Sequence, residues 1–245
     1  MHRYRLYVPP EKITGDTAQL DGDEFHHCVN VLRRTEGTIA VFDGVSREWE
    51  ATIAGVQKHY ATLHLDRLVR EEAAPSVRLI SCPALTKGRS FDAVIEAATE
   101  LGAHVIAPVL AARCAGHLRQ AHLGARLARW RRVAVAAAKQ CGRIALPEIR
   151  FPASLQELLP SLASATTLIC AAQGNGPPLL RVLEREAAAP AIAVLVGPEA
   201  DFTPEEAAEA VEAGAHPAGL GATTLRSGTA AIYALSVISA YLASR

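Results

Sequence analysis

The sequence predicts an α/β protein in which a small β-barrel precedes a mostly parallel sheet flanked by helices. Short β-branched runs separated by turns fill the first seventy residues, and repeated strand, loop and helix patterns follow. Half of the 245 residues are hydrophobic, which is enough to bury a core in each part. We therefore predict two domains, residues 1–72 and residues 73–245.

The first domain is expected to be a barrel because short strand-like runs recur with turn signals between them. Glu36-Gly37 and Asp43-Gly44 are two such turn signals. One helix is predicted at 23–34, and the polar stretch 70–75 resembles a linker. The predicted strands are 3–8, 38–42, 49–56 and 60–69.

The second domain alternates predicted strands with predicted helices, the pattern of a parallel sheet with helical crossovers. Gly102 is placed to end one helix, and Thr203 to Glu206 fits a capping box with Pro204 at the first helical position. The predicted strands are 77–82, 104–109, 166–171, 191–196 and 218–221. The predicted helices are 90–101, 123–140, 179–189, 204–214 and 227–242.

The pattern of cysteines, histidines and apolar residues argues against several kinds of site and against a membrane span. The five cysteines are scattered and never form a C-x-x-C pair, and the nine histidines lack ligand spacing, so we expect neither a disulfide framework nor a metal site. The longest apolar run, 230–243, is shorter than the roughly 18 residues of a membrane span, and no signal peptide is apparent. We expect a cytoplasmic protein without a membrane partner.

Charge is unevenly distributed although the formal net charge is zero. Residues 113–150 hold 9 basic and 1 acidic side chains, whereas residues 1–72 hold 9 and 12. A basic segment of this kind can bind phosphates, but it can equally be a solvated, arginine-rich helix face. Its central cations are Arg126, Arg129, Arg131, Arg132, Lys139 and Arg143.

Three glycine-containing turns, 171–176, 197–202 and 220–230, lie in the last third of the chain and follow predicted strands. Ligands of open α/β sheets bind beyond the carboxyl ends of the strands, so these turns are candidates for a ligand site. The chain has neither G-x-G-x-x-G nor a P-loop, which disfavours a dinucleotide oxidoreductase or a nucleotide triphosphatase.

The motifs in these turns resemble those of the SPOUT class of methyltransferases, in particular the RsmE type. The GPEGG-like turn corresponds to 197–201, and the LG-x-R-x-LR-x-ETA-like segment to 220–230. The resemblance continues along the chain in the family's order. It includes His26-His27 with Val31-Leu32-Arg33, Phe42-Asp43-Gly44, Lys87-Gly88-Arg89, Thr99 to Gly102, and Gln140 to Arg143 with Pro147.

The resemblance implies a PUA-like RNA-binding barrel over 1–72 and a SPOUT domain with a C-terminal trefoil knot over 73–245. It also implies methylation of N3 of a uridine in 16S ribosomal RNA, with S-adenosylmethionine as the methyl donor. The expected partners are 16S rRNA or the small ribosomal subunit, during ribosome biogenesis, and a second copy of the chain through the knot region. No metal is implied.

The resemblance assigns site residues by their position in the motifs. Arg226 is expected to stabilise negative charge on the uracil, although it could instead pair with a nearby carboxylate. Glu199 is expected to orient the cofactor or accept a proton, although it could simply favour a helix start. The expected cofactor-binding residues are Ala172, Val196, Gly197, Pro198, Glu199, Leu220, Gly221, Leu225, Ser227, Thr229 and Ala230.

RNA is expected to bind Arg3, His26, Asn30, Arg33, Arg34 and Arg143. His26 and His27 could alternatively be a packed or capping pair. The chain departs from the family motifs at Thr223, at Gly228 and in the GPEAD form of the first turn. Two alternatives therefore stay open: methylation of another RNA position, or a non-catalytic RNA-binding assembly factor.

Overall fold

The computed structural model describes residues 4–86, 90–114, 122–170 and 176–245. The chain forms two compact units, one of residues 1–74 and 138–146 and the other of residues 75–137 and 147–245. The boundary predicted between residues 72 and 73 stays a prediction. No sequence pattern predicted that 138–146 packs with the first unit.

The first unit contains a six-stranded mixed sheet where the small barrel was predicted. Its strand order is β1-β4-β5-β6-β3-β2, and the β1 and β4 pair is parallel while the other pairs are antiparallel. The strands are β1 (Arg5–Tyr7), β2 (Ile13–Thr14), β3 (Thr17–Asp21), β4 (Thr38–Phe42), β5 (Arg47–Val56) and β6 (Tyr60–Glu71). Alternate residues such as Leu63 and Leu65 point into one apolar core with Leu6, Leu20 and Val41.

Three details of this unit differ from the sequence-based expectation. The predicted helix 23–34 is a short α1 (Gly22–Phe25) that continues as a π-helical turn, His26–Val31. Residues 70 and 71 belong to β6 instead of a linker, because Glu71 pairs with Arg47 of β5. The hairpin of β2 and β3 was not predicted, since two strands of two and five residues give little periodicity.

The second unit contains a parallel six-stranded sheet, which confirms the predicted class. Its strand order is β12-β10-β11-β7-β8-β9, and all five pairings are parallel. The strands are β7 (Arg78–Pro83), β8 (Val105–Ile106), β9 (Glu148–Ile149), β10 (Thr166–Cys170), β11 (Ala191–Val196) and β12 (His216–Ala218). The last strand begins two residues before the predicted one and ends before Gly219, because His216 pairs with Leu168 of β10.

Helices cover both faces of this sheet. They are α2 (Ser90–Glu100), α3 (Leu123–Cys141), α4 (Leu155–Leu158), α5 (Leu179–Glu186), α6 (Pro204–Glu212) and α7 (Ser227–Ala243). One apolar cluster joins Val194 of β11 to α2, α3, α5 and α7, and a second joins Leu195 to α4 and α6. In the described ranges, none of the helices combines the length and the apolar character required to cross a bilayer.

The predicted helix boundaries follow local capping chemistry. Thr203 accepts a hydrogen bond from the Glu206 N–H and the Glu206 side chain accepts one from the Thr203 N–H, so the predicted capping box is confirmed. Gly102, after α2, has a left-handed φ of 86°. Ser154 and Glu157 form a second capping box before α4, which was not predicted.

Trp130→Ala is expected to destabilise the second unit by about 3–5 kcal/mol, because it leaves a large cavity. Trp130 is 1% exposed, and its ring centroid lies 4.8 Å from that of Phe91, across the contact of α3 with α2. Urea unfolding followed by circular dichroism measures the loss. Trp130→Phe, which keeps most of the apolar volume, should cost clearly less; equal losses would contradict the packing argument.

Candidate functional site

An open pocket lies in the second unit where β10 and β11 end. Cys170 and Val196, the last residues of these two strands, lie at its base. The pocket thus lies at the carboxyl ends of neighbouring parallel strands, where ligands of open α/β sheets bind. Its described lining is Cys170, Val196, Gly197, Pro198, Glu199, Asp201, Leu220, Gly221, Thr223, Thr224, Leu225, Ser227 and Ala230.

The first wall is the turn 197–202, which requires glycine at its start. A Cβ atom on Gly197 would lie 2.7 Å from Asp201 Oδ1 and 3.1 Å from the Phe202 nitrogen. The turn is closed by a hydrogen bond from Asp201 N to Pro198 O at 2.9 Å. Asp201 has a φ of 62°, and its Oδ1 accepts a hydrogen bond from Phe202 N at 2.8 Å. This turn is therefore compact and leaves its backbone near the pocket.

The second wall is the segment 220–227, which is tied directly to the first. Ser227 opens α7, and its buried hydroxyl donates a hydrogen bond to Gly197 O at 2.7 Å. Nearby, Gly176 and Gly219 allow two backbones to touch, since a Cβ on Gly219 would lie 2.9 Å from Gly176 O. The two walls consequently form one connected structure.

The chemistry of the lining combines apolar surface with negative charge. Val196, Leu220, Leu225 and Ala230 supply apolar contacts, and Glu199 and Asp201 supply carboxylates. Burial raises the pKa of the Cys170 thiol to about 12, so this side chain is neutral at physiological pH. Among the described residues, no group of His, Cys, Asp or Glu side chains is placed to hold a metal ion. The lining therefore offers apolar contacts and negative charge to a ligand.

Most of the residues expected to bind a cofactor lie together in this lining. Thr229 is exposed and does not line the pocket, and Ala172 lies outside the described residues. Four lining residues were not predicted: Cys170, Asp201, Thr223 and Thr224. Cys170 could have been found because it lies next to the end of the predicted strand 166–171. The predicted residues in the lining are Val196, Gly197, Pro198, Glu199, Leu220, Gly221, Leu225, Ser227 and Ala230.

The two expected catalytic residues are both exposed at this site. Glu199 lines the pocket, whereas Arg226 lies between two lining residues, Leu225 and Ser227, at the N-cap position of α7. Within the described chain, no carboxylate forms an ion pair with the Arg226 guanidinium. Arg226 is therefore available to a ligand that approaches the mouth of the pocket.

The residues expected to bind RNA in the first unit form an exposed group around the π-helical turn. His26, Asn30, Arg33 and Arg34 are all exposed, and Arg3 lies outside the described residues. The His26 Nδ1 and Asn30 Nδ2 atoms are 2.9 Å apart, and the Arg34 guanidinium lies 5.0 Å from the Tyr4 ring centroid. This group could meet a polyanion without rearrangement of the core.

Arg143 belongs to the segment 138–146, which the first unit holds through Arg5. The Arg5 guanidinium donates to Ala138 O at 2.6 Å, to Arg143 O at 3.1 Å and to Glu48 Oε1 at 2.7 Å. Lys139 forms a half-buried ion pair with Glu24 at 2.9 Å. Burial lowers the pKa of the Arg143 guanidinium. Arg5 thus caps the end of α3 and fixes the start of the following loop.

The basic stretch 113–150 is used largely for internal contacts. Arg129 pairs with Asp92, the Arg126 guanidinium lies 5.2 Å from the Trp130 ring centroid, and Arg150 pairs with Glu148. Arg131 is exposed. These contacts favour the interpretation of this stretch as a structured helix face over that of a continuous phosphate-binding stripe.

Thiol reactivity is expected to separate the five cysteines. Cys141 is exposed, whereas burial raises the thiol pKa of Cys82 and Cys170 to about 12, that of Cys114 to about 11, and also that of Cys28. Ellman's reagent at about pH 8 should therefore label Cys141 first, the half-buried Cys114 more slowly, and the buried Cys28, Cys82 and Cys170 only after unfolding. Cys141→Ser should remove the fast phase, and a fast phase that persists in this variant would contradict the assignment.

Two family models match the chain. A model described as an RNA methyltransferase domain matches residues 73–239, and one described as an RNA methyltransferase PUA domain matches residues 20–66. The first of these alone covers more than half of the chain.

Curated relatives and solved structures agree with these matches. The chain is 32% identical to the ribosomal RNA small subunit methyltransferase E of Synechocystis sp. over 98% of this chain and 78% of that protein. It is 28% identical to the protein of the same name from Bacillus subtilis, over 98% and 96% of the two chains. A crystal structure of the Neisseria gonorrhoeae protein of that name, bound to S-adenosyl methionine, superposes with a TM-score of 0.83 at 28% identity, covering 98% of each chain.

Proposed function

Because the chain belongs to the RNA methyltransferase family whose members include ribosomal RNA small subunit methyltransferase E, we propose that it methylates N3 of a uridine in 16S ribosomal RNA. The methyl donor is S-adenosylmethionine. The observation that carries the proposal is the pocket at the ends of β10 and β11, built from the same turns that carry the family motifs.

The lining fits the proposed cofactor. Val196, Leu220, Leu225 and Ala230 offer apolar contacts to an adenine ring, and Glu199 and Asp201 offer negative charge to its cationic groups. Gly197 is placed where a Cβ would collide with the turn, so glycine permits the compact turn that borders the pocket. A relative crystallised with S-adenosyl methionine has the same fold over its whole length.

The reaction requires that the acceptor uridine be positioned and that one proton be removed from it. The cofactor supplies an electrophilic methyl group on a sulfonium, and the uridine N3 attacks it in line, so alignment of the acceptor is much of the task. The N3 proton must leave before or during attack, which places negative charge on the uracil. Arg226 stabilises that charge with its guanidinium, and Glu199 orients the cofactor or accepts the proton.

The RNA is expected to contact the exposed group in the first unit, together with Arg3 and Arg143. His26, Asn30, Arg33 and Arg34 are exposed on that unit, which supports this role. Recognition of structured RNA commonly depends on shape and on bases that leave the stack. The family match of residues 20–66 to a PUA domain of RNA methyltransferases is the second support.

Further properties of the family are proposed for this chain on the resemblance. They are a trefoil knot formed by the C-terminal segments, a homodimer through that region, and action in the cytoplasm on the small ribosomal subunit. α7 leaves Tyr233 45% exposed, which is compatible with a partner on this helix. The alternatives, another RNA position or a non-catalytic assembly factor, are not favoured by the names of the relatives.

The proposal is tested by methyl transfer from labelled S-adenosylmethionine to small ribosomal subunits from cells that lack the endogenous enzyme. Mass spectrometry of the digested RNA should identify 3-methyluridine. Subunits from cells that retain the enzyme are the control and should accept little label, because the site is already methylated. Label in a different nucleoside would replace N3 of uridine as the target, and RNA binding without any transfer would support the non-catalytic alternative.

A further inference from the structure

Asp201 is an unusual residue for its place in the pocket. Its φ of 62° lies in the left-handed region, where a residue other than glycine is uncommon, and the turns of the family have glycine at this point of the motif. The side chain nevertheless has a defined position, because its Oδ1 accepts a hydrogen bond from Phe202 N at 2.8 Å. The chain thus places a fixed carboxylate where a glycine would give none.

The backbone around Asp201 is held from outside the pocket. Arg113 donates hydrogen bonds to Ala200 O and to Phe202 O, the carbonyl groups on either side of Asp201. Ser227 holds the start of the same turn through Gly197 O. These contacts keep the Asp201 carboxylate at one place in the lining, so a charge there acts at a fixed distance from a bound ligand.

The described lining contains two carboxylates and no lysine or arginine, and the Arg113 guanidinium that bonds the carbonyl groups on either side of Asp201 is not part of it. Glu199 is exposed, whereas Asp201 is half-buried and closer to the protein interior. A charge in a partly buried position is screened less by solvent, so its effect on a nearby cation is larger. Cys170 adds no charge at physiological pH, because its thiol is buried.

We propose that the Asp201 carboxylate makes the pocket prefer the charged cofactor to its uncharged product. The inference rests on the proposed function, in which this pocket holds S-adenosylmethionine. In the transfer, the C–S bond breaks and the methyl group bonds to uridine N3, while the electron pair of the broken bond stays on sulfur. The sulfonium becomes the neutral thioether of S-adenosylhomocysteine, and the N3 proton is released. A fixed negative charge favours binding of the sulfonium cofactor and aids release of the neutral thioether product.

Two substitutions separate charge from geometry. Asp201→Asn removes the charge but keeps an oxygen acceptor for Phe202 N, and asparagine tolerates the left-handed conformation. Asp201→Gly removes the side chain and relieves the backbone conformation. If charge is the cause, both variants lose the same preference, although they affect the turn differently.

The experiment is calorimetric titration of the full chain and its variants with three ligands. They are S-adenosylmethionine, S-adenosylhomocysteine and sinefungin, an analogue with an amine cation in place of the sulfonium. We expect wild type to bind the two cations more tightly than S-adenosylhomocysteine. In Asp201→Asn and in Asp201→Gly, the affinity for each cationic ligand divided by the affinity for S-adenosylhomocysteine should fall by roughly tenfold. This is the size of effect expected for one partly screened charge.

Glu205→Gln is the matched control, because it removes a carboxylate four residues away that does not line the pocket. Its affinity ratio should equal that of wild type. An Asp201→Asn variant that weakens all three ligands equally, or none, would overturn the inference and leave Asp201 as a residue that only shapes the turn. Failure of wild type to bind S-adenosylmethionine at all would instead overturn the proposed function.

Discussion

Arg226→Ala should lower the rate of methyl transfer by about 10²–10³, the typical cost of losing one group that stabilises developing negative charge. The Arg226 side chain is exposed, its chain neighbours Leu225 and Ser227 line the pocket, and the described residues offer it no ion pair. In the proposed role, its loss removes an interaction with the substrate and not one within the fold. Single-turnover transfer to small ribosomal subunits measures the rate without interference from product release.

Two controls distinguish this role from a structural one. Arg181→Ala removes an exposed arginine of α5 that pairs with Glu184 on the same helix, and it should leave the rate unchanged. S-adenosylmethionine affinity should change little in Arg226→Ala, because Arg226 does not line the pocket. A parallel loss of cofactor affinity and rate would show that Arg226 holds the cofactor and would contradict its assignment to the uracil.

Gly197→Ala should weaken S-adenosylmethionine binding at least tenfold, which corresponds to about 1.4 kcal/mol. The new Cβ would lie 2.7 Å from Asp201 Oδ1 and 3.1 Å from the Phe202 nitrogen, so the turn must shift. The shift also displaces Gly197 O, which accepts the buried hydrogen bond from Ser227. Calorimetric titration gives the affinity, and thermal unfolding shows how much stability is lost with it.

Gly124→Ala is the matched control for a glycine substitution. Gly124 lies in α3, and a Cβ at this position meets no atom within 4 Å. The substitution should leave cofactor binding unchanged without lowering stability, since Gly124 is the second residue of α3 and alanine is a better helix former than glycine. Equal binding by Gly197→Ala and Gly124→Ala would remove the 197–202 turn from the cofactor site.

The sequence predicted the parallel sheet and most of the pocket because both depend on local signals. The strand 191–196 and the capping box at Thr203 are complete within a few residues. The lining from Gly197 to Glu199 and from Leu220 to Ala230 follows from motifs that resemble a family. Local patterns of this kind can be recognised without knowledge of the rest of the chain.

Other features depend on contacts between residues distant in the sequence. The packing of 138–146 with the first unit rests on Arg5, more than 130 residues away, and no periodicity reports such a contact. The π-helical turn at His26–Val31 resembles an ordinary helix in its apolar spacing. The position of Asp201 in the pocket depends on a left-handed backbone conformation. The sequence shows only that aspartate replaces glycine in the motif and does not reveal this conformation.

The packing of 138–146 with the first unit determines which fragments of this protein can fold and which segments recombination can exchange. A fragment that stops at residue 74 lacks Ala138, Ile144 and Leu146, which bury Phe42 and Tyr7. It would also leave the Arg5 guanidinium without its carbonyl acceptors, so we expect such a fragment to be poorly soluble. For the same reason, recombination at a single crossover cannot exchange the first unit for a homologous one intact. Residues 138–146 are therefore expected to change in step with the residues of 1–74 that they contact.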